Sequence, residues 1–272
     1  MASKYGTNLD TFTVAGYDVK NELASDISLK GTNSEIDASV LTQEFMRTLP
    51  GQGELTFDFT CYSAYSSGDC ANKITSQHVS VFTLNGNSYI NSLLNTKLTL
   101  NMKRSDQESA FNDQFKASQN LKGDITIDVT ALVSTAASHT LFNTFASAGS
   151  SQAVTWSATI NGTTITVPCN LMEMDYTVSE SDTNRINLKL RGYPACTGDF
   201  PTSPSASGTL VTDFLVDPFS AVVVKFKSAS SNAETVQVNA LLQNLEIDLV
   251  KNQTIQTKYS LVSTGTPALT LS

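Results

Sequence analysis

Six acidic side chains carry whatever chemistry this chain could perform. Glu173 and Asp175 form one pair, Glu246 and Asp248 another, and Asp58 and Asp128 stand singly in two matching segments. Carboxylates two apart on a strand project from the same face, so each pair could act as a hydrolytic couple or hold a hard cation. The same residues could equally line the wet face of an antiparallel sheet, or a channel in which acidic rings repel a passing polyanion. No cluster of His, Lys or Arg accompanies either pair, which counts against catalysis. His78 and His139 have no Cys or acid at triad or metal spacing and read as surface residues. There is no glycine-rich phosphate cradle, and neither Ser66-Ser67 nor Ser150-Ser151 sits in a nucleophile elbow. No cofactor, metal or enzymatic activity is expected.

The elements that must position these acids follow from composition and repeats. The chain has 272 residues, 40% hydrophobic and 15% charged, with a formal net charge of −8. It is too apolar for disorder, and its charge is wrong for a surface that grips phosphates. Met1–Gly6 is polar, without the apolar stretch of a secretory signal, and no window approaches a bilayer span: Ala221–Val224 is broken at once by Lys225. Cys61, Cys70, Cys169 and Cys196 form no C-x-x-C pair and read as reduced thiols of a soluble protein made in the cytoplasm. Trp156 and the dispersed tyrosines read as core and interface packing.

Sliding the sequence by 70 residues brings Phe12–Thr60 onto Phe82–Thr130 without a gap. Gly53–Thr60 and Gly123–Thr130 then match as strands of strict period two, with Leu55, Phe57 and Phe59, or Ile125, Ile127 and Val129, on one face. The second half repeats too: Thr140–Phe145 matches Thr209–Phe214, and Glu173–Tyr176 matches Glu246–Leu249. The order is first half, first half, second half, second half. This predicts an outer domain, 1–63 plus 205–272, interrupted by a homologous inner domain, 79–195, with 64–78 and 196–204 as paired linkers. Exchange of halves between neighbouring chains would give the same order.

Each unit reads as mostly β: an antiparallel sandwich or barrel-like domain with one short helix, Ala136–Ala148 in the inner and Leu210–Val216 in the outer. Asn161-Gly162 between Val154–Ile160 and Thr164–Val167 predicts a tight hairpin, and Ser228–Ala233 its longer counterpart. The segments Val14–Ile36 and Leu84–Asp106 read as long hairpins, with Ile27–Gly31 and Lys97–Asn101 as sparsely charged, unprotected edges suited to assembly.

Phe12-Thr-Val-Ala-Gly-Tyr-Asp-Val19, then Glu35-Ile-Asp-Ala38 and Arg47-Thr-Leu-Pro-Gly-Gln-Gly-Glu-Leu-Thr-Phe57, resembles the opening of tail tube (major tail) proteins of long-tailed bacteriophages. The resemblance implies a non-enzymatic virion protein whose stacked rings form a hollow tube through which DNA slides unbound. It also implies Asp58, Asp128, Glu173, Asp175, Glu246 and Asp248 at the lumen. With two domains per chain, a trimer of pseudo-sixfold symmetry is expected ahead of a hexamer, stacking axially through hairpins marked by Val14, Ile27, Ile36, Leu84, Lys97 and Asp106. Further partners would be other tail proteins, with no membrane. A tail-tip or baseplate ring component, and a capsid-decoration or receptor-binding β-module, are the competing readings.

Overall fold

Alternation of apolar and hydroxylated residues builds the long strands of the chain. The computed structural model describes residues 9–37, 48–62, 75–106, 115–133, 152–178, 184–192, 210–229 and 235–270. In chain order these hold β1 (Leu9–Val14), β2 (Tyr17–Asp18), β3 (Ser28–Asp37), β4 (Thr48–Cys61), β5 (Val79–Leu84), β6 (Asn87–Ser88), β7 (Leu93–Asp106) and β8 (Ser118–Leu132). They continue with β9 (Gln152–Ile160), β10 (Thr163–Thr177), β11 (Arg185–Gly192), α1 (Leu210–Val216), β12 (Val222–Ser228), β13 (Thr235–Val250), β14 (Gln256–Ser263) and β15 (Ala268–Thr270). All pairings between these strands are antiparallel, and they link into one sheet of 15 strands.

Two strands are long enough to serve two layers. The first half of β13 pairs with β12 and the second with β14 and β7; β10 likewise pairs first with β9 and then with β11. Each carries a bulge at the changeover, between Leu171 and Glu173 in β10 and between Leu242 and Asn244 in β13. A bulge adds twist and bends a strand, which lets one strand turn from layer to layer. The result is a broad sheet in the order β3-β4-β14-β13-β7-β8-β11-β10, with two small groups, β2-β1-β12 and β6-β5-β9, folded over one of its faces.

The core lies between these layers. Phe12 of β1 meets Phe59 of β4 edge-on at 5.1 Å, and Phe59 stacks on Tyr259 of β14 at 4.9 Å. In the other group the buried Trp156 of β9 packs edge-on against Phe82 of β5 and donates its indole N–H to Thr96 Oγ1 of β7 at 3.2 Å. The helix α1 spans the predicted residues, brings Phe214 to 5.9 Å from Tyr259, and ends before Pro218. Asn161 and Gly162 both adopt positive φ, 48° and 83°, and join β9 to β10 as the sequence predicts.

Some expectations are corrected. Val14–Ile36 and Leu84–Asp106 are not single hairpins. Ala15-Gly16 and Asn85-Gly86, all at positive φ, end β1 and β5 in tight turns onto β2 and β6, so each chain segment crosses from a small group to the broad sheet. The long hairpins are instead β3–β4 and β7–β8. Val14 and Leu84 are consequently buried, Ile27 packs against the core, Ile36 lies within β3, and Asp106 ends β7 with Lys116 at 3.7 Å. Lys97–Asn101 is no edge, since β13 and β8 flank it on both sides. The predicted helix Ala136–Ala148, His139, Cys70, Cys196 and most of both linkers lie outside the described residues.

Candidate functional surface: the polar face of the broad sheet

The face of the broad sheet turned away from the core carries the acids singled out in the sequence. Buried Phe57, Phe59, Ile127 and Val129 alternate with exposed Asp58 and Asp128, so the inward set fixes where the carboxylates point. Cross-strand register then aligns side chains into rows. One row runs Gln256 of β14, Asp248 of β13, Lys97 of β7, Asp128 of β8, Lys189 of β11 and Glu173 of β10. The next holds Thr60, Lys258, Glu246, Thr99, Thr126 and Arg191. A third places Asp58 beside Ser260, followed by Asn244, Asn101 and Asp124.

Acids and cations therefore alternate across the strands. Lys189 Nζ lies 2.7 Å from Glu173 Oε2, and Arg191 makes a two-pronged contact with Asp124 at 2.9 and 3.2 Å. Glu246 Oε2 receives Lys97 at 3.1 Å and Lys258 at 3.3 Å. Burial works to raise the Glu246 carboxyl, but these two ammonium groups overcome it and hold it below the ordinary carboxylate range. The Lys189 ammonium is held above its usual value, first by its hydrogen bond to Glu173 and then by the Glu173 charge.

The acids expected to line a lumen lie on this face, interleaved with cations. The carboxylates share one face, but neighbouring strands set Lys and Arg between them, because like charges directly opposite destabilise a sheet and opposite charges support it. This overturns the expectation that no Lys or Arg clusters near the acid pairs. Lys97 comes from a strand remote in sequence, whereas Lys189 and Lys258 lie on the strands that directly follow their acids; the signal for all three was Lys at same-face positions of β7, β11 and β14. Register corrects the repeat as well. Asp128, Lys189 and Glu173 stand level in one group as Asp58, Ser260 and Asn244 do in the other, so the position that corresponds to Glu246 is Asp175, not Glu173. A shift of two residues preserves the face.

The described residues contain no group of three or more His, Cys, Asp or Glu placed to hold a metal ion. His78 is exposed and its Nδ1 accepts the Thr75 backbone N–H at 3.1 Å, which makes it a cap for a short 3-10 turn. Burial pushes the Cys169 thiol up to about 12, which leaves it an inert core group. No helix of the described residues is long and apolar enough to cross a membrane.

The chain matches no family model and no curated protein.

Proposed function

We propose that this chain is a structural virion subunit that self-assembles into rings, and that the rings stack into a phage tail tube through which DNA passes without being held. The observation that carries the reading is the broad eight-strand sheet. One face is core and the other a hydroxyl-rich mosaic of acids with Lys and Arg set among them, and both lateral edges lack a neighbour among the described residues. A surface whose central cations are committed to carboxylates offers a phosphate backbone few free ammonium groups, so it gains little from counterion release.

The resemblance to tail tube proteins supports the same reading, and so does the doubled strand plan. β3-β4-β14-β13 and β7-β8-β11-β10 have the same pairings in the same order, which fits an outer domain, 1–63 plus 205–272, interrupted by an inner copy, 79–195.

Ring size follows from strand number. Strands about 4.8 Å apart and tilted about 40° give a sixteen-stranded ring of two chains an opening of about 20 Å inside its side chains, no wider than a hydrated duplex, and a twenty-four-stranded ring of three chains about 40 Å. A DNA duplex passes the second and not the first. Three chains with six domains is accordingly the favoured ring, located in the virion tail.

Negative-stain micrographs and native mass measurement of the purified chain test this. Rings or tubes with a three-chain repeat are expected. A chain that remains monomeric at every concentration sinks the reading, and a six-chain ring sinks the trimer.

A further inference from the structure

Two strands of the broad sheet have one neighbour each among the described residues. β3 pairs with β4 alone, and β10 beyond Leu171 pairs with β11 alone. Exposed apolar side chains collect there: Leu29 on β3 is 45% exposed, Met172 on β10 is 57% and Val178 just past it is 70%. Sheet edges that stay unpaired are ordinarily blunted by charge, proline or bulges, and an apolar edge invites another strand. Among the described residues β3 and β10 cannot pair with each other, because they stand at opposite margins of eight strands.

A template for what belongs there exists inside the chain. β13 lies on β14 and β4 in the register that β10 keeps on β11 and β8, with the bulge immediately before Asn244 in one and Glu173 in the other. β3 lies on β4 as β7 lies on β8, with Ser28 opposite Asp58 as Lys97 is opposite Asp128. The seam between β13 and β7, which sets Glu246 against Thr99 and Ile247 against Leu98, is thus the internal version of a contact between β10 and β3.

We infer that β10 of one copy adds antiparallel to β3 of a second copy of this chain, with Asp175 opposite Lys30. Carrying the seam register across also sets Glu173 against Thr32, Tyr176 against Leu29 and Val178 against Ile27. Three features not used to build this register agree with it. Asp175 and Lys30 are both exposed on the polar face, and neither makes a side-chain hydrogen bond or ion pair among the described residues. Opposite charges become direct cross-strand neighbours. Leu29, which pairs in register with buried Phe57 and so faces the core side, is met there by Tyr176, whereas a slip of one residue would set exposed Asp175 or Thr177 against it. The inference rests on the self-assembly half of the proposed function and is independent of DNA passage.

Cysteine pairs read the register. In a chain carrying Cys70→Ser and Cys196→Ser, Tyr176→Cys with Leu29→Cys should yield on mild oxidation a ladder of disulfide-linked chains. Tyr176→Cys with Ile27→Cys or with Gly31→Cys should not, since only directly opposite Cβ atoms come within reach of a disulfide. Charge reversal supplies a second readout that needs no cysteine. Lys30→Glu or Asp175→Lys alone should raise the concentration for half-assembly about tenfold, and the two together should restore it. Assembled particles with no ladder and no rescue overturn the register while leaving the ring reading intact; a ladder from a shifted pair overturns the Asp175 to Lys30 pairing. A chain monomeric by sedimentation at all concentrations overturns both.

Discussion

Lys97 and Glu246 meet at 3.1 Å across the seam where β7 joins β13, and Lys258 reaches the same carboxylate oxygen at 3.3 Å. One oxygen thereby ties together three strands, two of them more than a hundred residues apart in the chain. Glu246 is only 23% exposed, so its pairing counts for more than that of a fully solvated ion pair, though solvent still screens it.

Replacing this carboxylate should produce a pH-dependent loss of stability. The folded-state pKa of Glu246 lies below the ordinary value. The stabilisation is therefore present above the unfolded carboxylate value of about 4.3 and is lost as pH falls through the lowered folded value. Glu246→Gln should cost about 1 kcal/mol in urea unfolding at pH 7. The gap between the two proteins should close below about pH 4. A gap of equal size at pH 7 and pH 3 would show that the charge contributes nothing.

The indole of Trp156, the chain's single tryptophan, provides a probe of the other seam, between a small strand group and the broad sheet. Its emission should be blue-shifted and protected from acrylamide, since the side chain is fully buried. Trp156→Phe leaves a void and strands the Thr96 hydroxyl, and should cost about 2–4 kcal/mol. Trp156→Phe with Thr96→Val should recover part of that loss; chemical denaturation of the three variants measures it.

Local signals account for what the sequence made legible. Phe57, Asp58 and Phe59 alternate because each inward residue touches the core and each outward one touches water, so parity alone assigned the acids to one face. Asn161-Gly162 and the span of α1 were readable because turn and helix chemistry is local. Pairings between remote strands were not. Nothing near Glu246 in the chain announces Lys97, and an alignment displaced by two residues keeps every polar residue on its face, so matching Glu173 to Glu246 looked sound. The turns at Ala15-Gly16 and Asn85-Gly86 were the overlooked cue that Val14 and Leu84 end one strand group instead of opening a hairpin.

Asn120 of β8 should prove the most demanding polar residue of the core. Its buried Nδ2 donates to the carbonyls of Pro218 at 2.8 Å and Leu242 at 2.9 Å, which joins β8 to the end of α1 and to the bulge of β13. Asn120→Ala strands two carbonyls and should cost about 2 kcal/mol. Asn120→Asp should cost more at pH 7, where a carboxylate faces two carbonyl oxygens, and less at pH 4, where the acid regains a proton to donate. Thermal melts of both variants at the two pH values decide this; equal losses for Asp and Ala at pH 7 would contradict the donor role.

The mosaic face makes a prediction about DNA that an acidic lining would not. Asp128 stands in register between Lys97 and Lys189, so its charge neutralises cations on both flanking strands. If the face lines a passage, adhesion is suppressed by that local neutralisation more than by long-range repulsion, which salt screens within about 8 Å at physiological ionic strength. Asp128→Asn leaves Lys97 bound to Glu246 and Lys189 bound to Glu173, but removes the negative charge that stands between these two ammonium groups at every repeat around a ring. Assembled particles of the variant should then retain duplex DNA more than unsubstituted particles do, with log affinity falling against log salt by about 0.9 for each phosphate that the less compensated lysines neutralise. Asp58→Asn, whose neighbours in register are Ser28 and Ser260, should change nothing. Equal DNA retention by both variants would mean that net charge, not the position of Asp128 between Lys97 and Lys189, governs adhesion; no retention by either would remove the face from contact with DNA.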